Sequence, residues 1–129
     1  MGEVSMAIAV VVDTNQQELQ QTINQLKGSD AFTEIIPFED SLEAVKYIEL
    51  HGCDVVFTEV EMDGVSGFDF IRRFRSRRPA ICFVFVTNKG NYALSAFEYD
   101  AADFIIKPID AKSIRRVMKK MQNNGIRIL

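Results

Sequence analysis

Five short apolar runs, each followed by a stretch with helical spacing or helix punctuation, constrain this chain more than anything else in it. The first, AIAVVV from Ala7 to Val12, is too short for a helix and rich in β-branched residues, which suits a strand covered on both faces. It ends at Asp13. From Thr14 the polarity changes: Thr14 with Gln17, or Asn15 with Glu18, can form a capping box, and Leu19, Ile23 and Leu26 recur at helical spacing until Gly28. Phe32 to Phe38 reads as a second strand, where Pro37 cannot donate to a ladder and so predicts a sheet edge. Asp40 with Glu43 opens a second helix whose apolar stripe is Ala44, Val45 and Ile48 and which ends near Gly52.

The alternation continues. Asp54 to Thr58, Ile81 to Val86 and Phe104 to Ile106 read as strands. Phe68 to Ser76 and Tyr92 to Glu98 read as helices, and Ile114, Val117, Met118 and Met121 mark the last one. Strands that are apolar throughout, alternating with helices, predict a doubly wound α/β domain with a parallel sheet. In such a sheet the functional crevice lies beyond the carboxyl ends of the strands, and those ends carry Asp13, Glu59, Thr87 and Lys107.

Composition narrows what that crevice serves. With 129 residues the chain suits one domain, 1–129, and a net charge of −3 gives no whole-chain drive toward nucleic acid or an anionic membrane. No apolar run reaches the length of a membrane span, and the start has no cationic leader pattern, so a cytoplasmic setting is expected. Cys53 and Cys82 sit in or beside apolar runs and read as free thiols in a reducing compartment. The ending GIRIL, Gly125 to Leu129, reads either as an ordered finish or as the start of a connection.

No glycine follows Asp13, which excludes a dinucleotide fingerprint and a P-loop. The single histidine, His51, reads as a solvated helix terminus. RRFRSRRP, Arg72 to Pro79, reads as a solvated face at a helix C-terminus rather than an anion site. Phe57, Phe83, Phe85, Phe97 and Phe104 are expected in or near the core, with packing as their only reason.

DVVFTEVEMDGVSGFDF (Asp54 to Phe70), FVFVTN (Phe83 to Asn88) and DFIIKPID (Asp103 to Asp110) together resemble the receiver domain of bacterial response regulators, and the match runs from about Ala7 to Met121. YALSAFEYDAADFIIKPI, from Tyr92 to Ile109, is similar to receivers that precede LytTR-type DNA-binding domains. The resemblance implies a five-stranded parallel sheet of order 2-1-3-4-5, with two helices on one face and three on the other; Pro37 at an edge agrees with it. It places Glu59 where the family has a phosphoacceptor aspartate, and it makes Thr87 and Lys107 the contacts to a phosphoryl group. Phe104 becomes the aromatic that rotates on activation, and Lys107–Pro108 a cis peptide. The Mg²⁺ ligands it implies are Asp13, Glu59 and the backbone carbonyl of Glu61, a weak set because Thr14 stands where a second acid would be.

Glutamate carries its carboxylate about one C–C bond, ~1.5 Å, further from the backbone than aspartate, which disturbs both in-line attack and metal geometry. The same reach moves a negative charge toward the space a phosphoryl group would fill, in partial imitation of the modified state. An idle structural pairing of Glu59 with Lys107 is the plainer alternative. Asp63 reads as a turn residue before Gly64 rather than a substitute acceptor. The function expected is a non-enzymatic signalling module, a pseudo-receiver impaired in phosphoryl acceptance, self-associating through the face from Tyr92 to Met121. A phosphorylation-competent receiver served by a histidine kinase is the alternative. DNA would be reached only through a domain outside these 129 residues.

Overall fold

A computed structural model describes residues 7–123; the GIRIL ending lies outside the described residues. The elements alternate as β1 (Ile8–Val12), α1 (Gln16–Gly28), β2 (Glu34–Phe38), α2 (Ser41–His51), β3 (Val55–Thr58), α3 (Gly67–Phe74), β4 (Cys82–Thr87), a 3₁₀ turn (Gly90–Tyr92), α4 (Ala93–Glu98), β5 (Asp103–Ile106) and α5 (Ala111–Asn123). All neighbouring strands are parallel, in the order β2-β1-β3-β4-β5. Pro37 sits in the edge strand β2, opposite Val11.

The runs without polar residues are buried on both sides. Val11, Phe57, Val84, Val86 and Ile105 face α1 and α5, meeting Leu19, Ile23, Leu26, Ile114, Val117 and Met121. Val10, Val12, Val56, Phe83 and Phe85 face the other way, toward Ala44, Val45 and Ile48 of α2, Phe70, Ile71 and Phe74 of α3, and Ala96 of α4. Two helices therefore cover one face and three the other. Each large buried side chain contributes on the order of 2–3 kcal/mol.

Side-chain oxygens set the helix starts. Asn15 Oδ1 accepts from Glu18 N–H (3.0 Å), which decides between the two possible caps of α1, and Asp40 Oδ1 accepts from Leu42 N–H (2.8 Å). Ser66 and Asp69 form a reciprocal capping box that starts α3 at Gly67. The sequence had suggested Phe68 to Ser76; α3 closes at Phe74, two residues sooner.

One expectation fails outright: Phe97 is 79% exposed. Helix α4 has only six residues, and the one it buries is Ala96; its successor in the chain is turned about 100° away, toward solvent. Phe57, Phe83 and Phe85 are buried and Phe104 is half-buried. Among the described residues no helix is long and apolar enough to cross a membrane.

Candidate functional site

Because the sheet is parallel, the ends of β1, β3, β4 and β5 open on one side, and their terminal residues meet there. Lys107, just past β5, donates from Nζ to Asp13 Oδ2 (2.7 Å), Glu18 Oε1 (2.5 Å) and Glu59 Oε1 (2.9 Å). Its side chain is 6% exposed, against 14% for Glu59 and 30% for Glu18. The Lys107–Pro108 peptide is cis, and Lys107 N–H donates to Thr87 O (2.9 Å), tying the lysine backbone to the end of β4.

The second oxygen of each acid is also held. Asp13 Oδ1 accepts from Asn15 N–H (2.9 Å), Glu18 Oε2 from Asn88 Nδ2 (3.1 Å), and Glu59 Oε2 from Val60 N–H (2.5 Å). Burial pushes the Asp13 carboxyl above its ordinary range despite the hydrogen bond from Lys107. Glu18, nearer to water, is held below its range by that same lysine. For Lys107, burial favours the neutral amine, and the bonds to Asp13, Glu18 and Glu59 overcome it, so the ammonium is held well above its usual value.

Glu18 is the member that sequence reasoning missed. It looked like a capping partner of Asn15, yet a first-turn glutamate on a helix that begins just after Asp13 overhangs the end of β1, and that was the available signal. Glu61, whose carbonyl had been expected as a ligand, turns its carboxylate to Lys89 Nζ (2.6 Å) and the Tyr92 hydroxyl. Lys89 first, then Tyr92, holds that carboxyl below the usual range. Thr87 is buried, and its Oγ1 accepts from Lys89 N–H (3.2 Å); it is not a partner of Glu59. Asp63 is exposed, and its carbonyl accepts from Ser41 Oγ (2.9 Å).

Away from the crevice, Phe104 meets Phe85 edge-on with ring centroids 6.5 Å apart. Phe85 meets Phe68 at 4.8 Å, and Phe68 meets Tyr99 at 4.8 Å and Tyr92 at 6.0 Å. A continuous file of rings thus joins β5 to both ends of α4. Gly67 permits it: a Cβ there would lie 2.6 Å from Glu59 O and 2.6 Å from Phe85 Cε1.

Receiver domains bind Mg²⁺ at an acidic pocket, and Asp13, Glu18 and Glu59 form such a pocket, with ligand oxygens within 4.8 Å of one another. These are the hard donors that Mg²⁺ takes. As placed, however, the same oxygens hold the ammonium of Lys107, so a divalent ion would have to share them with that cation or displace it. With Lys107 seated, the residues do not fit the metal as well.

The model of the "Response regulator receiver domain" family matches residues 9–119. The chain is similar to the sensory transduction protein LytT of Bacillus subtilis, with 30% identity covering 89% of this chain and 48% of that protein. It is 26% identical to the transcriptional regulatory protein LytR of Staphylococcus aureus over 88% of this chain and 46% of the relative. The chain therefore spans about half the length of the curated relatives it matches. A response regulator receiver domain protein from Clostridium thermocellum superposes with a TM-score of 0.79 at 21% identity, covering 93% of this chain and 98% of that one, a likeness of fold.

Proposed function

The chain belongs to the response regulator receiver domain family, and from that premise we propose that it is a two-component signalling module that accepts a phosphoryl group poorly and acts through protein contacts. One observation carries this reading: both oxygens of the carboxylate at the acceptor position, Glu59, are already engaged, by Lys107 and by Val60 N–H. Phosphoryl transfer depends on positioning and charge neutralisation, and an acceptor displaced by about 1.5 Å and tied at both oxygens is badly placed for in-line attack.

Glu59 brings its charge to Lys107, as a phosphoryl group would, so it imitates the modified state in part. The imitation stops short of Thr87, whose hydroxyl serves Lys89. The output face runs from Tyr92 to Met121. Exposed Leu94, Phe97 and Ile106 support its burial against a second copy, beside the ion pair of Arg116 with Asp103. Such a module signals without catalysing a reaction, works in the cytoplasm, and would be paired with a histidine kinase and with an output domain outside these 129 residues. Relatives that are transcriptional regulators by name support DNA binding as that output.

The test is the intact mass of the protein after incubation with Mg²⁺ and acetyl phosphate. The mass should stay unchanged. A stoichiometric gain of one phosphoryl group would overturn the reading in favour of a working acceptor, at Glu59 or at exposed Asp63.

A further inference from the structure

We propose that Lys107 is itself the resident cation of the acidic pocket, completed by Glu18, so that the pocket holds its shape without a divalent metal. An ammonium has three N–H donors, and here each goes to a different carboxylate: Asp13, Glu18 and Glu59. The three remaining carboxylate oxygens are taken by Asn15 N–H, Asn88 Nδ2 and Val60 N–H. Each of the six carboxylate oxygens therefore already carries a hydrogen bond, three of them from the ammonium, and a metal ion entering the pocket would have to share those oxygens with a buried cation or displace it. Mg²⁺, which sheds its own water reluctantly, gains least from such an exchange.

The side-chain lengths explain how the balance arises. Thr14 brings no carboxylate to the β1–α1 turn. Glu18 supplies one from the first turn of α1, and Asn88 on the β4 side steers it toward Lys107. The additional methylene of Glu59 carries its Oε1 to the same nitrogen. Lys107 offsets one of the three negative charges of Asp13, Glu18 and Glu59; without it all three would face a divalent ion, and the pocket would be a strong divalent site. The lysine is what keeps it closed.

The proposal is independent of what the Tyr92–Met121 face binds. Thermal melting with EDTA or with about 10 mM Mg²⁺ or Mn²⁺ tests it on the wild type and on Lys107→Met. The wild type should show no metal-dependent change, whereas Lys107→Met should gain about 5 °C or more with metal, by preferential binding to the folded state. If Lys107→Met folds only when metal is present, the proposal is supported in its strongest form; a folded variant indifferent to metal overturns it. Should that variant fail to fold under either condition, NMR of the wild-type Lys107 ¹⁵Nζ decides. A slowly exchanging ammonium signal unmoved by Mg²⁺ upholds the assignment, and its displacement by Mg²⁺ overturns it. A wild type that binds metal yet gains no phosphoryl mass would sink this inference alone and leave the proposed function standing.

Discussion

At the carboxyl ends of the strands one buried lysine holds three carboxylates; in the last turn of α3 and just past it, five arginines between Arg72 and Arg78 lie largely in water. Arg73 and Arg77 share Glu49 at 3.4 and 3.2 Å, Arg72 takes Asp69, and Arg78 caps a backbone carbonyl at Glu49 (3.0 Å). Arg77 is 65% exposed where Lys107 is 6%. The distances overlap, since Arg72 meets Asp69 at 2.6 Å, so distance alone does not separate the clusters. Desolvation does: a buried charge that loses its partner has no water to turn to, whereas an exposed one is rehydrated at once.

The largest expected effect tests the buried side of that contrast. Lys107→Met in urea denaturation should lose about 3 kcal/mol, the range for a broken buried ion pair. A loss under about 1 kcal/mol would put this pocket in the same class as the arginine cluster. The sign with pH follows from a folded-state pKa raised above the unfolded one. The lysine's contribution is complete below its ordinary pKa of about 10.4 and is lost only as pH rises through the higher folded value. The gap between wild type and variant should therefore be undiminished at neutral pH and start to close only in strong alkali.

A smaller effect is expected from Gly67→Ala, which alters no charge. The new methyl group meets a backbone oxygen, Glu59 O, and the ring of Phe85, neither of which can swing aside cheaply. Overpacking of this kind costs about 1–3 kcal/mol. Because the contact presses on Glu59 and the file of rings together, the tyrosine fluorescence of the folded variant should change too. Unaltered fluorescence would mean that Glu59 and the rings are not mechanically joined.

The smallest effect belongs to Glu49→Gln. It removes the shared partner of Arg73 and Arg77, yet should cost less than about 1 kcal/mol at low salt and less again at high salt, measured by the same urea titration. A loss as large as that of Lys107→Met would show that the arginine run carries structure after all.

How much of this could be read in advance follows the same division. Predominantly apolar strands alternating with helices announced a doubly covered parallel sheet, and the topology brought Asp13, Glu59 and Lys107 to one crevice. Glu18 was hidden because a glutamate three residues after Asn15 has an ordinary helical explanation; only the placement of α1 over the sheet turns its side chain toward Lys107. Phe97 misled for the opposite reason, since aromatic character suggests burial but a six-residue helix has one inward position, and Ala96 holds it. The turn of Thr87 toward Lys89 depends on a hydroxyl rotor and on loop geometry, neither of which has a sequence pattern.

The bond of Glu61 to Lys89 and Tyr92 has a consequence of its own. It ties the loop after β3 to the turn after β4 across the mouth of the crevice, with the lysine and glutamate side chains 56% and 47% exposed. Salt screens a tie of that kind, while the bonds around Lys107 beneath it lie largely beyond the reach of mobile ions. Ionic strength therefore acts as a hand on the door and not on the lock: in dilute buffer the two loops are drawn together, in concentrated buffer they part more often, and the charged interior keeps its arrangement through both.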